Sequence, residues 1–208
     1  ALGALKPAAL AWAAGETRIG IYRRSSASTP DNADIVREDR IYENIPNPDK
    51  DIDRTCPVLL ASGDDGKLIG LVFGASCHPT TLRYDNYLVS ADFPGVAKRL
   101  LREKNGGIPT VFLQGMGGDV KPRRVADGDI FRSGTFVDVE AVGKELADDV
   151  QRTIDGGLKT LDVDIRTAFG RYPLLLAGGW NENTYRIMAS ENPSWYRRVW
   201  ARHWLDRF

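Results

Sequence analysis

Only two histidines occur in 208 residues, and one of them, His78, stands in Ser76-Cys77-His78-Pro79-Thr80, where an apolar run breaks into a polar turn. Proline restricts the backbone of the residue before it, so the imidazole has a held direction. A neutral imidazole in such a corner can ligate Zn²⁺ or take a proton; a loop histidine hydrogen-bonded to backbone is the ordinary alternative. No second His or Cys stands near it at metal-ligand spacing, so a metal would need ligands from far away in sequence or from outside this chain. The second chemical stretch is Gly117-Gly118-Asp119-Val120-Lys121-Pro122-Arg123-Arg124. Glycines let a backbone approach a ligand, and the amides of such a turn form anion-binding nests. Asp119 could equally cap its own turn. Arg23 and Arg24 end a short strand, where their forked donors suit a carboxylate or phosphate, or simply stay solvated. Ser90-Ala91-Asp92-Phe93-Pro94 reads as a helix entrance capped by Asp92 or Ser90.

These residues need elements to hold them. Residues 68–75 and 109–114 are apolar runs bounded by breakers, as in strands covered on both faces. Residues 56–62 and 67–75, joined by Gly63-Asp64-Asp65-Gly66, predict a hairpin, because Asp-Gly accepts the positive φ of a tight turn. An amphipathic helix is expected over 94–104, ended by Asn105-Gly106-Gly107. Strand, site loop, helix, strand, site loop predicts a right-handed crossover that brings His78 and Asp119 to one edge of the sheet. Residues 138–154 predict a second helix, with Val139, Val142, Leu146 and Val150 on its buried face and Asp138 as N-cap.

Elsewhere the alanine-rich residues 4–14 read as a helix closed by Gly15. Residues 18–22 read as a short strand, 25–54 as a long loop walling a site, and 158–169 as a half-exposed strand. After Pro173 come an apolar Leu174-Leu175-Leu176 run, a Gly178-Gly179 break and two helices. The last interleaves Trp195, Tyr196, Trp200 and Trp204 with Arg197, Arg198, Arg202 and Arg207, a pattern that buries its aromatic face in the parent domain, or stacks on nucleotides, or docks at a lipid interface. His203 belongs to this helix and has no evident partner. The expected division is an α/β domain over 1–173, with a mixed sheet flanked by helices, and a helical segment over 174–208 packed on it.

The 28 basic and 28 acidic residues cancel, so no global field draws nucleic acid or an anionic membrane. No run of about 18 apolar residues is present to span a bilayer, and residues 1–14 lack the basic start of a signal peptide. Cys56 and Cys77 match no zinc knuckle and read as inert buried thiols, unless neighbouring strands let them pair.

Taken in order, Ala75-Ser76-Cys77-His78-Pro79-Thr80, Ser90-Ala91-Asp92-Phe93-Pro94-Gly95 and Phe112-Leu113-Gln114-Gly115 leading to Gly118-Asp119-Val120-Lys121-Pro122-Arg123 resemble the N-terminal domain of the neutral/alkaline (non-lysosomal) ceramidase family, in particular its bacterial members. The likeness runs over residues 1–170. It implies an internal portion of a larger domain in a zinc-dependent amide hydrolase that splits ceramide into sphingosine and fatty acid, with a secreted or periplasmic setting. It also implies that His78 is a zinc ligand, while the family's His-x-His, Glu and Tyr ligands have no counterpart in this chain. Arg23 takes the place of the arginine that contacts the reacting group, with Tyr22 where the family has Asn. Lys121 stands where the family carries its catalytic serine. A zinc-bound water would then be the nucleophile, Lys121 would hold an oxyanion, and Asp119 would orient the loop.

Two readings follow: a metal-dependent hydrolase acting on an amide or related bond of a small molecule or lipid, with peripheral membrane contact, or a binding domain that uses Arg23, Arg24, Lys121, Arg123 and Arg124 to hold an anion. In either reading the 208 residues are a piece of a longer protein, inactive alone and without a role in binding nucleic acid.

Overall fold

A computed structural model of the chain describes residues 6–25, 43–162, 166–173, 181–192 and 195–207. They fall into two compact units, the first made of residues 6–25 and 43–162 and the second of residues 166–173, 181–192 and 195–207.

The first unit is built on a five-stranded sheet. Strands β1 (Ala9–Glu16), β4 (Thr55–Ser62), β5 (Leu68–Ala75), β6 (Thr110–Gln114) and β10 (Lys159–Leu161) lie in the order β10-β1-β4-β5-β6. All pairings are antiparallel except β5 with β6, which run parallel from Leu71↔Thr110 to Ala75↔Gln114. Helix α1 (Asp92–Lys104) makes that parallel crossover. The α/β class and the mixed sheet expected from the sequence are therefore present.

Cys56, Val58 and Leu60 of β4 and Leu71 and Phe73 of β5 turn to one face, where Phe93, Ala97 and Leu101 of α1 meet Val142, Leu146 and Val150 of α2 (Phe136–Asp155). Phe112 of β6 joins them, its ring centroid 5.4 Å from that of Phe73 and 6.3 Å from that of Phe93. At roughly 1.5 to 3 kcal/mol for each large apolar side chain withdrawn from water, this seam dominates the unit's stability. On the opposite face the register aligns Trp12, Leu59, Val72 and Val111 in one cross-strand row.

A second sheet has the order β3-β2-β7, from β2 (Gly20–Ser25), β3 (Glu43–Asn47) and β7 (Val120–Pro122). A single 3₁₀ turn at Arg123–Val125 leads into a small hairpin of β8 (Ala126–Asp127) and β9 (Ile130–Phe131).

Several expectations are corrected. Residues 4–14 do not form the expected helix: from Ala9 onward they are strand β1, and residues 1–5 lie outside the described part. Helix propensity is a weak preference that tertiary pairing overrides, and here eight consecutive residues of β1 find partners on β4. Gly15 marks close packing rather than a helix end, since a Cβ there would come within 1.9 Å of Thr153 Oγ1 on α2. The long loop contains β3, paired with β2 through Tyr22↔Asn47 and Arg24↔Asn44; residues 26–42 lie outside the described part. The N-cap of α2 is Thr135, and Asp138 is the third residue of its capping box, each accepting the other's amide. Of the strand expected over 158–169 only Lys159–Leu161 pairs; residues 163–165 fall outside the described part.

In the second unit, α3 (Glu182–Glu191) and α4 (Trp195–Leu205) pack through Tyr185, Met188, Ala189 and Ala201, with Trp200 and Leu205 against them. Tyr185 lies 5.5 Å from Trp200 and 6.5 Å from Trp204, centroid to centroid. The aromatic face of the last helix thus meets α3, while Trp195 and Tyr196 are exposed. The Leu174-Leu175-Leu176 run and Gly178-Gly179 lie outside the described part. No helix among the described residues is long and apolar enough to cross a membrane.

Candidate functional site

Because β5 and β6 run parallel, their following loops leave the same edge. The Gly115 amide donates to the Ala75 carbonyl at 3.0 Å, and the His78 amide to the Val120 carbonyl at 3.0 Å. Gly117 is pressed so closely on the first loop that a Cβ would stand 2.9 Å from the carbonyl carbon of Cys77 and from the amide of His78. Only glycine permits that approach. Thr55, whose amide donates to the Asp53 carboxylate at 2.9 Å, and then the Ser76 hydroxyl, which donates to it at 2.9 Å, hold Asp53 below the usual carboxylate range.

Strand β2 brings the arginines to this edge. Arg23 donates from its amide to the Asp119 carbonyl at 2.8 Å and from Nε to the Gly118 carbonyl at 2.9 Å. The pairing of β2 with β3 slips by one residue between Tyr22 and Arg24, a bulge of the kind that re-aims a side chain. Arg24 turns the other way into an ion pair with Asp119, Nε to Oδ1 2.7 Å. Asp119 is thus a partner of Arg24, and the expectation that it caps its own turn is replaced by this long-range contact. Burial first, then the Arg24 charge, lowers the Arg23 value, and Asp119 offsets part of that.

Lys121 is only 5% exposed. It lies opposite Ile21 across the β2–β7 pair, so it shares a face with Ile21 and Arg23, because side chains alternate along a strand. Its ammonium sits 4.9 Å above the centre of the Phe131 ring and has no hydrogen bond or ion pair among the described residues. Burial, then Arg83 and then Arg23, pushes its value down. Arg83, from the loop after His78, donates to the carbonyl of the same Phe131 and stacks 5.3 Å from the Tyr84 ring. Arg83 and Phe131 were not singled out in the sequence; a lone arginine in a polar loop and a phenylalanine in a two-residue strand carry no local signal.

His78 as a residue is exposed, and its partly covered ring has no hydrogen-bond partner among the described residues. Burial, Arg23 and Lys121 in that order lower its value, which favours the neutral imidazole. The structure thus brings His78, Arg23 and Lys121 together and leaves Asp119 beside them, paired. It disperses the rest of the expected cationic cluster: Arg123 bonds Glu145 of α2 at 3.1 Å, and Arg124 reaches Asp138 at 3.1 Å. Arg132 grips the same carboxylate with two nitrogens at 2.9 Å each.

Asp92 departs from the expected cap. Helix α1 has no side-chain cap; Asp92 is 7% exposed, has φ 48°, and its carboxylate accepts the amides of Phe93 at 2.7 Å and Leu82 at 3.1 Å. It pins the His78 loop to the start of the helix. Cys56 and Cys77 are both free and buried, and no cluster of three or more His, Cys, Asp or Glu suited to a metal exists among the described residues. One groove lies between α1 and α2 and another between β1 and α2, and neither is lined by a residue of this corner.

No family model matches the sequence, and no curated protein matches it. Solved structures do. A ceramidase complexed with C2 superposes with TM-score 0.59 at 22% identity, over 79% of this chain and 25% of that one. The neutral ceramidase from Pseudomonas aeruginosa superposes with TM-score 0.57, again at 22% identity over 79% of this chain and 25% of that one. The fold is therefore ceramidase-like, and the chain spans about a quarter of the length of those proteins.

Proposed function

We propose that this chain supplies part of the active site of a ceramidase-like hydrolase that cleaves an amide or related bond, with a lipid amide such as ceramide as the favoured substrate class. The observation that carries the reading is the convergence of His78, Arg23 and Lys121 at the edge where β5 and β6 end, on a ceramidase-like fold. In this reading both cations serve the charge that develops on a scissile carbonyl oxygen, since fixed donors aimed at such charge stabilise the transition state. Asp119 orients this loop by holding Arg24. His78, kept neutral, can accept a proton or ligate a metal.

One imidazole does not hold a tetrahedral ion, so the described residues alone do not fit the zinc that the resemblance implies. The remaining ligands would have to come from other chain. Zinc measured in the full-length protein and in His78→Ala tests that assignment: a drop is expected, and equal occupancy would end it. A panel of N-acyl amides and esters tests the activity, and no turnover by the zinc-loaded protein would remove the hydrolase reading.

Lys121, a buried cation without an acidic partner where the family places serine, favours a second reading, a domain that binds an anion and performs no hydrolysis.

A further inference from the structure

Among the described residues no carboxylate bonds Lys121, Arg23 or Arg83. Lys121 is 5% exposed, and the face of the Phe131 ring is its one polar-type contact among the described residues. Arg23 spends only Nε of its guanidinium, on the Gly118 carbonyl, and Arg83 spends only Nη1, on the Phe131 carbonyl. Both Nη groups of Arg23, and Nε and Nη2 of Arg83, are without partners among the described residues. The Asp119 carboxylate, on the turn that Arg23 holds, is taken by Arg24. By contrast Arg24, Arg99, Arg123, Arg124, Arg132 and Arg152 all reach carboxylates.

Burying a cation without a counter-charge is costly, and structures that keep one pair it or give it a ligand. Diagonal neighbours on one face of an antiparallel pair stand about 7 to 8 Å apart. That spacing, which the β2–β7 register gives Lys121 and Arg23, suits a small ion bridging them. Phe131 ties in Arg83, since the same residue takes Lys121 on its ring and Arg83 on its carbonyl.

We propose that Lys121, Arg23 and Arg83 form a binding site for a small oxyanion, the terminal phosphate or carboxylate group of a ligand. The inference deepens the second reading above and holds equally if the chain takes part in hydrolysis. A phosphate monoester and a carboxylate share the recognising chemistry, an oxygen-based anion that accepts from an ammonium and from forked guanidinium donors.

Calorimetric titration of the full-length protein with inorganic phosphate and, separately, with octanoate tests the site, and which arm saturates identifies the group. Saturable binding is expected in at least one arm, weakened at least tenfold by Lys121→Met and by Arg83→Gln, and unchanged by Arg123→Gln, whose guanidinium serves Glu145. Arg83→Gln guards against a folding defect in the buried lysine variant, and circular dichroism checks both. No saturation in either arm, or binding indifferent to both substitutions, overturns the proposal. The amide panel reads hydrolysis separately, so failure of one does not imply failure of the other.

Discussion

The Asp92 carboxylate accepts the Leu82 amide at 3.1 Å across ten residues while its own backbone is held at φ 48°. A non-glycine residue in that region carries strain of about 1 to 3 kcal/mol, which persists only where the surroundings fix it. Here the two accepted amides do so. Asp92→Ala leaves both without an acceptor and is expected to lower stability by about 2 to 3 kcal/mol in urea unfolding. Asp92→Asn, which keeps an acceptor and tolerates positive φ, is expected to cost about 1 kcal/mol or less. Equal losses in the two variants would show that the accepted amides are not what holds the turn.

His78 should titrate below its ordinary value near 6.5. Between the lowered folded value and 6.5 the unfolded chain binds more protons, so this residue's contribution makes stability rise with pH through that window. Lys121→Met removes one neighbouring charge, and an NMR titration should then show the imidazole moving back up. An unchanged titration would disconnect the two residues.

Asp138 is held well below the usual carboxylate range, chiefly by Arg132 and against the opposing effect of its burial, with Thr135 adding to the lowering. A lowered folded value contributes stability that is present above about pH 4 and lost as pH falls toward that value. Asp138→Asn is expected to cost about 1 to 3 kcal/mol at pH 7, discounted because both arginines are partly exposed. It should also flatten the decline in stability between pH 5 and pH 2, and a variant that retains the full decline would refute the assignment.

Gly117 and Gly118 should respond unequally. A Cβ at Gly117 meets backbone of Cys77 and His78, whereas one at Gly118 meets nothing within 4 Å. Gly117→Ala is expected to lose about 1 to 3 kcal/mol and Gly118→Ala to stay within about 0.5 kcal/mol. Thermal unfolding of the pair decides.

Burial pushes the Cys56 thiol up to about 12 and Cys77 higher still. Neither should react with a thiol reagent at pH 8 in the native protein, and both should react once it is unfolded. Rapid labelling of the folded protein would contradict their placement.

The sequence revealed those parts of the fold that are coded locally. The Asp64-Asp65-Gly66 turn announced the β4–β5 hairpin, and Gly66 indeed takes φ 74°. The spacing of Val142, Leu146 and Val150 gave the face of α2 that is buried. It hid what depends on distant partners. Residues 9–16 favour a helix in isolation and become a strand because β4 and β10 lie on either side. The basic run 121–124 looked like one patch, yet Arg123 and Arg124 are drawn to carboxylates of α2 while Lys121 turns inward. Arg83 entered the site through Phe131, 48 residues away, a contact no periodicity could signal.

The bond from the His78 amide to the Val120 carbonyl closes a loop of more than forty residues that includes α1 and β6. Long closures form late, because their entropy is lost before the contacts that reward it are made. A nascent or partly folded chain therefore carries the histidine, the arginine and the lysine as strangers. They become neighbours only when this ring and the longer closure that pairs Gly20 with Pro122 have both shut.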